Sequence, residues 1–327
     1  MGKKILLAAS TTLLCLLFAE MLVRLLGMAP GVTRLEIDLP HGTFQASRNA
    51  VLRYEPRPGS QGVNDYGIRD HDYEMNKPDG TLRILVIGDS IGYGFCNDRE
   101  SLLLNDLFMK RLEKSLQKTF PVPVEVINLC VSGYDTVQEV EFLAEKGLPL
   151  DPDIVLVAYC LNDDFDASME LNYFKQQSQF GIDSEIGQKV FLSSHLARMI
   201  YLRNWQPEPQ APQRRQPERV TRTERGFSRL ATLAEEAGFQ PVIVVFPLFE
   251  PIESYRWIKS HRRVAALGRK LDIPVLDLIV PFKEATQGDL KQLQGRCNRE
   301  HPDETGHAAA AVAIEKYLRE TGLLRAP

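Results

Sequence analysis

The chain opens on one nearly unbroken apolar run and then changes pattern twice. Lys3 and Lys4 precede an apolar stretch from Ile5 to Ala19, which resumes after Glu20 and again after Arg24, up to Met28. A helix needs about 20 apolar residues to cross a bilayer core. Residues 5–28 reach that length with Glu20 and Arg24 near the far end. Being four apart, the two charges share a helix face and can pair, and Arg24 can snorkel outward. The run is apolar nearly all round, unlike a surface helix of a soluble domain. The leading lysines place the N-terminus inside. The expectation is an uncleaved signal anchor over residues 1–28, single-pass in the inner (cytoplasmic) membrane, with the rest facing the periplasm or outside. A cleaved signal peptide is the rival, but Leu17-Phe18-Ala19 offers only one of the two small residues a cleavage site needs.

From Pro30 to Asp79 periodic signals are few and Gly, Pro, Asn and Asp recur, which predicts a juxtamembrane linker and flap over 29–80. Beyond residue 81 short apolar runs alternate with helical spacing. Strands are expected at Leu82–Ile87, Val124–Leu129, Ile154–Tyr159, Val242–Phe246 and Pro274–Leu278. Helices are expected at Leu102–Lys118, Thr136–Lys146, about Arg222–Ala237, about Tyr255–Leu271 and Gly306–Thr321. Continuous apolar runs mark strands buried on both faces of a parallel sheet. Right-handed crossovers then give a three-layer α/β/α, flavodoxin-like domain of about five parallel strands over 81–325. A segment at about 164–221, rich in Pro and Gln in its second half, breaks the alternation and reads as a surface insertion.

Composition narrows the function classes. A formal net charge of -4 over 327 residues argues against a nucleic-acid partner. Arg214, Arg215, Arg219, Arg222 and Arg225 do cluster, but beside the Pro- and Gln-rich stretch they read as a solvated linker. None of the five cysteines forms a CxxC pair, which excludes zinc-ribbon and thioredoxin-like sites. Cys15 lies in the apolar run. Cys96, Cys130, Cys160 and Cys297 are open to pairing in an exported domain or to life as buried thiols.

In an open parallel sheet, chemistry gathers beyond the carboxyl ends of the strands. The first expected strand is followed by Gly88-Asp89-Ser90, the second by a loop ending in Ser132-Gly133, the third by Asn162-Asp163-Asp164. His301-Pro302 and Gly306-His307 precede the last helix. A serine between strand and helix presents its hydroxyl at a helix N-terminus, where the dipole favours a developing oxyanion. It needs a neighbouring base to become a nucleophile, and His301 can supply one. Backbone N–H groups of Ser90 and Gly133 and the Asn162 amide can face the oxyanion. Taken singly, Ser90 could be a helix cap and Gly133 and Asn162 turn formers; their joint order makes that reading weak.

These four blocks resemble those of the SGNH (GDSL) hydrolases. The resemblance covers about Arg83 to Thr321, the insertion excepted. It implies Ser90 as nucleophile, Ser90, Gly133 and Asn162 as the oxyanion hole, and His301 as base. Residues 64–69, Asn-Asp-Tyr-Gly-Ile-Arg, are similar to a segment found in a membrane-anchored subset, several of whose relatives edit acyl groups on surface polysaccharides. No cofactor or metal is implied. The family usually places an acid three residues before the histidine; here that position is Asn298, which can orient the ring but cannot balance imidazolium charge as well. Glu300, Asp303 or a backbone carbonyl are alternative acceptors. His307, with Glu304 three residues before it, is an alternative base. The resemblance implies a serine esterase or deacylase acting on O-acyl groups, O-acetyl among them, of an envelope or extracellular glycan or lipid through an acyl-serine intermediate. An O-acyltransferase of surface polysaccharide, or a weakly catalytic binding module of an envelope assembly, fits the same residues.

Overall fold

A computed structural model describes residues 2–26, 28, 43–49, 51–52, 54–60, 62–94, 102–161, 186–187, 190, 193–204, 221–295 and 301–325. Asn162, Asp163, Asp164, Cys96, Cys297, Asn298 and Glu300, and most of the 164–221 insertion, lie outside these residues. Contacts divide the chain into two units: residues 1–39 with 171–218, and residues 40–170 with 219–327.

In the first unit the apolar run is helix α1 (Gly2–Leu25). It is long and apolar enough to cross a membrane over Leu6–Leu25, and its large side chains are exposed, Leu6 and Leu7 each at 70%. The insertion contributes one long helix among the described residues, His195–Asn204, which packs on α1.

The second unit begins with a feature that sequence periodicity does not show. Strands β1 (Phe44–Ala46) and β2 (Tyr54–Pro56) form an antiparallel pair, each three residues long and too short to carry a pattern. The main sheet has five parallel strands: β3 (Leu82–Gly88), β4 (Val124–Asn128), β5 (Ile154–Cys160), β6 (Gln240–Phe246) and β7 (Val275–Asp277). Their order is β4-β3-β5-β6-β7. Every residue of β3 and β5 is buried, as strands covered on both faces must be.

Connection geometry accounts for the layers. The chain steps one way from β3 to β4 and the opposite way from β4 to β5, β6 and β7. Right-handed crossovers therefore put α3 (Phe108–Thr119) on one face and α4 (Thr136–Phe142), α6 (Arg222–Ala237) and α7 (Ile258–Lys270) on the other. With α2 (Ser90–Tyr93) after β3 and α5 (His195–Asn204) in the insertion, α8 (Ile279–Thr286) and α9 (Glu304–Glu320) complete the set. Accordingly α3 packs against α9 and α4 against α6. The reversal of direction between β3 and β5 is the topological switch point where such sheets bind ligands.

Element boundaries differ from expectation in three places. Helix α3 starts at Phe108, not Leu102, because Leu102 is engaged elsewhere: its N–H donates to the Gly94 carbonyl at 2.9 Å. Helix α4 ends at Phe142 and passes into a π turn and a 3-10 turn through Leu150. Helix α8, eight residues long with Pro281 in its first turn, is absent from the periodic reading. Cys130 and Cys160 are buried thiols, which decides for packing at these two positions.

Candidate active site

Ser90 is the first residue of α2, directly after β3. The helix cap is its neighbour: the Asp89 carboxylate accepts from the Ile91 N–H at 2.9 Å. That leaves the Ser90 hydroxyl for other work. Its Oγ lies 2.8 Å from His301 Nε2 and 3.4 Å from Asp89 Oδ2. An imidazole nitrogen at that distance can take the hydroxyl proton as the oxygen attacks and return it to a leaving group. Helix α2 has only four residues, so the expected macrodipole is largely missing, since it sums over aligned peptides. Stabilisation of negative charge here falls to individual N–H groups.

Gly133 sits at the end of the loop after β4, in a turn closed by the Tyr134 N–H donating to the Val131 carbonyl at 3.2 Å. Its φ of +81° is a left-handed value that glycine adopts without strain. A side chain there would also collide with the Tyr54 hydroxyl, 2.8 Å from an added Cβ. This loop is bonded to the Ser90 turn. The Val131 N–H donates to the Gly88 carbonyl at 2.9 Å. Asn128, fully buried at the end of β4, donates its amide to the Gly92 carbonyl at 3.1 Å and accepts from the Cys130 N–H at 2.9 Å. Sequence reading passed over Asn128; a lone amide closing an apolar strand was the available signal.

The Asn-Asp-Tyr-Gly-Ile-Arg segment acts on the same turn. The Asn64 carboxamide oxygen accepts from the Tyr66 and Ile68 N–H groups, each at 3.1 Å, and shapes the loop. Arg69 then stacks 4.7 Å over the Tyr93 ring. It donates to the carbonyls of Tyr93 and of Leu102, the latter at 2.7 Å. Buried Asp70 accepts from the Asn128 N–H at 2.7 Å and pairs with Lys110 at 3.0 Å. Arg69 and Asp70 thus clamp both loops. Tyr54 of β2 reinforces the clamp, donating to the Ser132 carbonyl at 2.6 Å.

Histidine 307 does not stand at the site. It is buried in the first turn of α9, where its Nδ1 accepts from the Phe108 N–H at 3.1 Å and its ring stacks on Phe108. Burial, with Arg111 nearby, lowers its pKa to about 3. It serves as an acceptor at the start of α3. Asp303 is likewise committed, capping α9 through the Gly306 N–H at 2.7 Å. Glu139 of α4 is buried, and its carboxyl oxygens have no hydrogen-bond partner among the described residues. Burial, and the Asp89 and Asp135 charges, push its pKa well above the carboxylate range. Asn162 and Asn298 fall outside the described residues, as does Glu300. Among the described residues no cluster of His, Cys, Asp or Glu could hold a metal ion.

Close packing under α2 makes a prediction. A Cβ added at Gly92 would lie 2.1 Å from Cys130 Sγ and 2.8 Å from Cys130 Cβ. With the thiol fully buried, Gly92→Ala is expected to cost about 1–3 kcal/mol by overpacking and to shift Ser90 against His301. Thermal unfolding and ester hydrolysis should both fall, and Cys130→Ala in the same chain should restore part of each. An unchanged melting temperature would refute the packing argument.

One comparison with known proteins assigns a family. The sequence model of the GDSL-like Lipase/Acylhydrolase family matches residues 86–309, well over half of the chain. No curated protein sequence matches. Among solved structures, the chain is similar to Axe2, an acetylxylan esterase from Geobacillus stearothermophilus, at 18% identity and TM-score 0.48, covering 74% of this chain and 94% of that one. A lipase/acylhydrolase from Enterococcus faecalis is similar at 17% identity and TM-score 0.44, covering 75% and 98%. With the matched region spanning β3 to α9 and holding the Ser90–His301 contact, the chain belongs to the GDSL-like lipase/acylhydrolase family and is an ester-hydrolysing enzyme.

Proposed function

We propose that this protein is a membrane-anchored serine esterase that removes O-acyl, foremost O-acetyl, groups from a glycan or lipid of the cell envelope. The observation that carries the chemistry is the 2.8 Å approach of His301 Nε2 to Ser90 Oγ. In this reading Ser90 Oγ attacks the ester carbonyl while His301 takes its proton. The N–H groups of Ser90 and Gly133, with the Asn162 amide, hold the oxyanion. His301 then protonates the departing alkoxide, leaving an acyl-Ser90 ester. Water, deprotonated by the same imidazole, releases the acid and restores the serine. Asn298 is assigned to orienting the His301 ring.

The anchor reading rests on helix Leu6–Leu25, with Lys3 and Lys4 on the inner side and the catalytic unit outside. An envelope-bound substrate follows from that tether.

The test is covalent labelling of the full chain by a fluorophosphonate, which places phosphorus on an activated serine with loss of fluoride. Labelling at Ser90, lost in Ser90→Ala, is expected. Asn298→Asp should label faster, since a carboxylate steadies the imidazolium better than an amide does. A folded wild-type protein that takes no label would overturn the proposal.

A further inference from the structure

The end of helix α1 is bonded to a segment some 170 residues away. The Glu20 carboxylate accepts four hydrogen bonds: from Arg24 Nε at 2.6 Å, the Ser194 hydroxyl at 2.8 Å, the His195 N–H at 2.9 Å and the Leu196 N–H at 2.8 Å. Arg24 also donates to the Ser193 carbonyl at 2.7 Å. Ser194, in turn, accepts from the Ala197 N–H at 3.1 Å through its hydroxyl. The first N–H groups of a helix have no partner within it. In α5 the first three are all satisfied here, two of them by a residue of α1.

We infer that Glu20 and Arg24 are the seat of the insertion on the membrane anchor, so that α1 is kept in the mature protein and α5 lies on the phospholipid surface at its end. This rests on the anchor reading proposed above. Glu20 falls inside the span Leu6–Leu25, where a carboxylate is tolerated only when paired and bonded, and α5 supplies that pairing. At about 1.5 Å per residue, Glu20 stands roughly 7–8 Å short of Leu25. A helix whose first N–H groups are held by Glu20 therefore begins roughly 7–8 Å inside the end of the span, within reach of the headgroups. The exposed side chains of the insertion fit that depth. Ile186, Val190 and Ile200 are exposed at 77%, 46% and 51% and belong to the same unit as α1. Arg24 and Arg203, both cationic, suit anionic headgroups. Cleavage after Leu17-Phe18-Ala19 would remove the helix that positions Glu20, the partner of the His195 and Leu196 N–H groups.

The experiment uses the full chain, expressed in membranes and then reconstituted in vesicles of phosphatidylcholine and phosphatidylglycerol. Intact mass should include α1. Ile200→Trp adds an indole whose extra fluorescence, over that of Trp205 and Trp257, should fall about two-fold or more in brominated lipid. Glu20→Ala should abolish that quenching and speed hydrogen exchange at His195 and Leu196 at least about ten-fold; Arg24→Gln should give a smaller loss. A mature chain starting beyond Glu20 would overturn the inference. So would an indole indifferent to bromine, whether open to water or covered by a second copy. So would quenching that survives Glu20→Ala. Ester hydrolysis by the same vesicles is read separately: lipid contact without hydrolysis would sink the proposed activity and leave the seat standing.

Discussion

His301→Ala is expected to lower kcat/KM for a soluble aryl acetate by about 10³-fold or more, with the loss in kcat and little change in KM. The imidazole touches the reacting oxygen, at 2.8 Å. Combining His301→Ala with Ser90→Ala should cost little beyond either change alone, because the two groups act as a unit. His301 carries the larger expectation because the rival histidine is already committed. His307 spends its Nδ1 on the Phe108 N–H and is sealed from substrate. Retention of most activity in His301→Ala would remove the histidine from the mechanism and with it the proposed role of Ser90.

Acid should weaken the fold through His307. In the folded protein burial lowers its pKa to about 3, against about 6.5 in an unfolded chain. The unfolded state thus binds a proton that the native state refuses. Its contribution to stability is complete above about pH 6.5 and is lost progressively as pH falls toward 3. Between neutrality and pH 5 the loss is about 2 kcal/mol, or roughly 4–8 °C in melting temperature for a domain of this size. His307→Asn keeps an acceptor for the Phe108 N–H and has nothing to titrate. It should start less stable, having lost the stacking on Phe108, yet show a flatter dependence on pH. Melting curves of both proteins from pH 7.5 to 4.5 give the comparison. Equal slopes would show that acid lability arises elsewhere.

Local sequence determined much of this protein. Runs such as residues 82–87 and 154–159 are apolar because parallel strands are buried on both faces, and the signal survives without knowledge of neighbours. Helix α6 was legible to the residue, from Arg222 to Ala237, because Thr221 caps one end and Gly238, in a left-handed conformation, closes the other. The places of Ser90, at the end of β3, and of His301, just before α9, were legible too, since each stands at an element end. Only tertiary structure decided the rest. His301 meets Ser90 across 211 residues, and nothing near either residue records the pairing. Choosing between His301 and His307 needed burial, which flanking residues six apart in the same short stretch cannot report. The clamp of Arg69 and Asp70 on α2 and β4 escaped the periodic reading because its loop has no periodicity, only long-range hydrogen bonds. Glu20 and Arg24 looked like blemishes tolerated within an apolar helix. They make sense once Ser194, His195 and Leu196 are brought against them, because the energy of a charge depends on what surrounds it in space rather than along the chain.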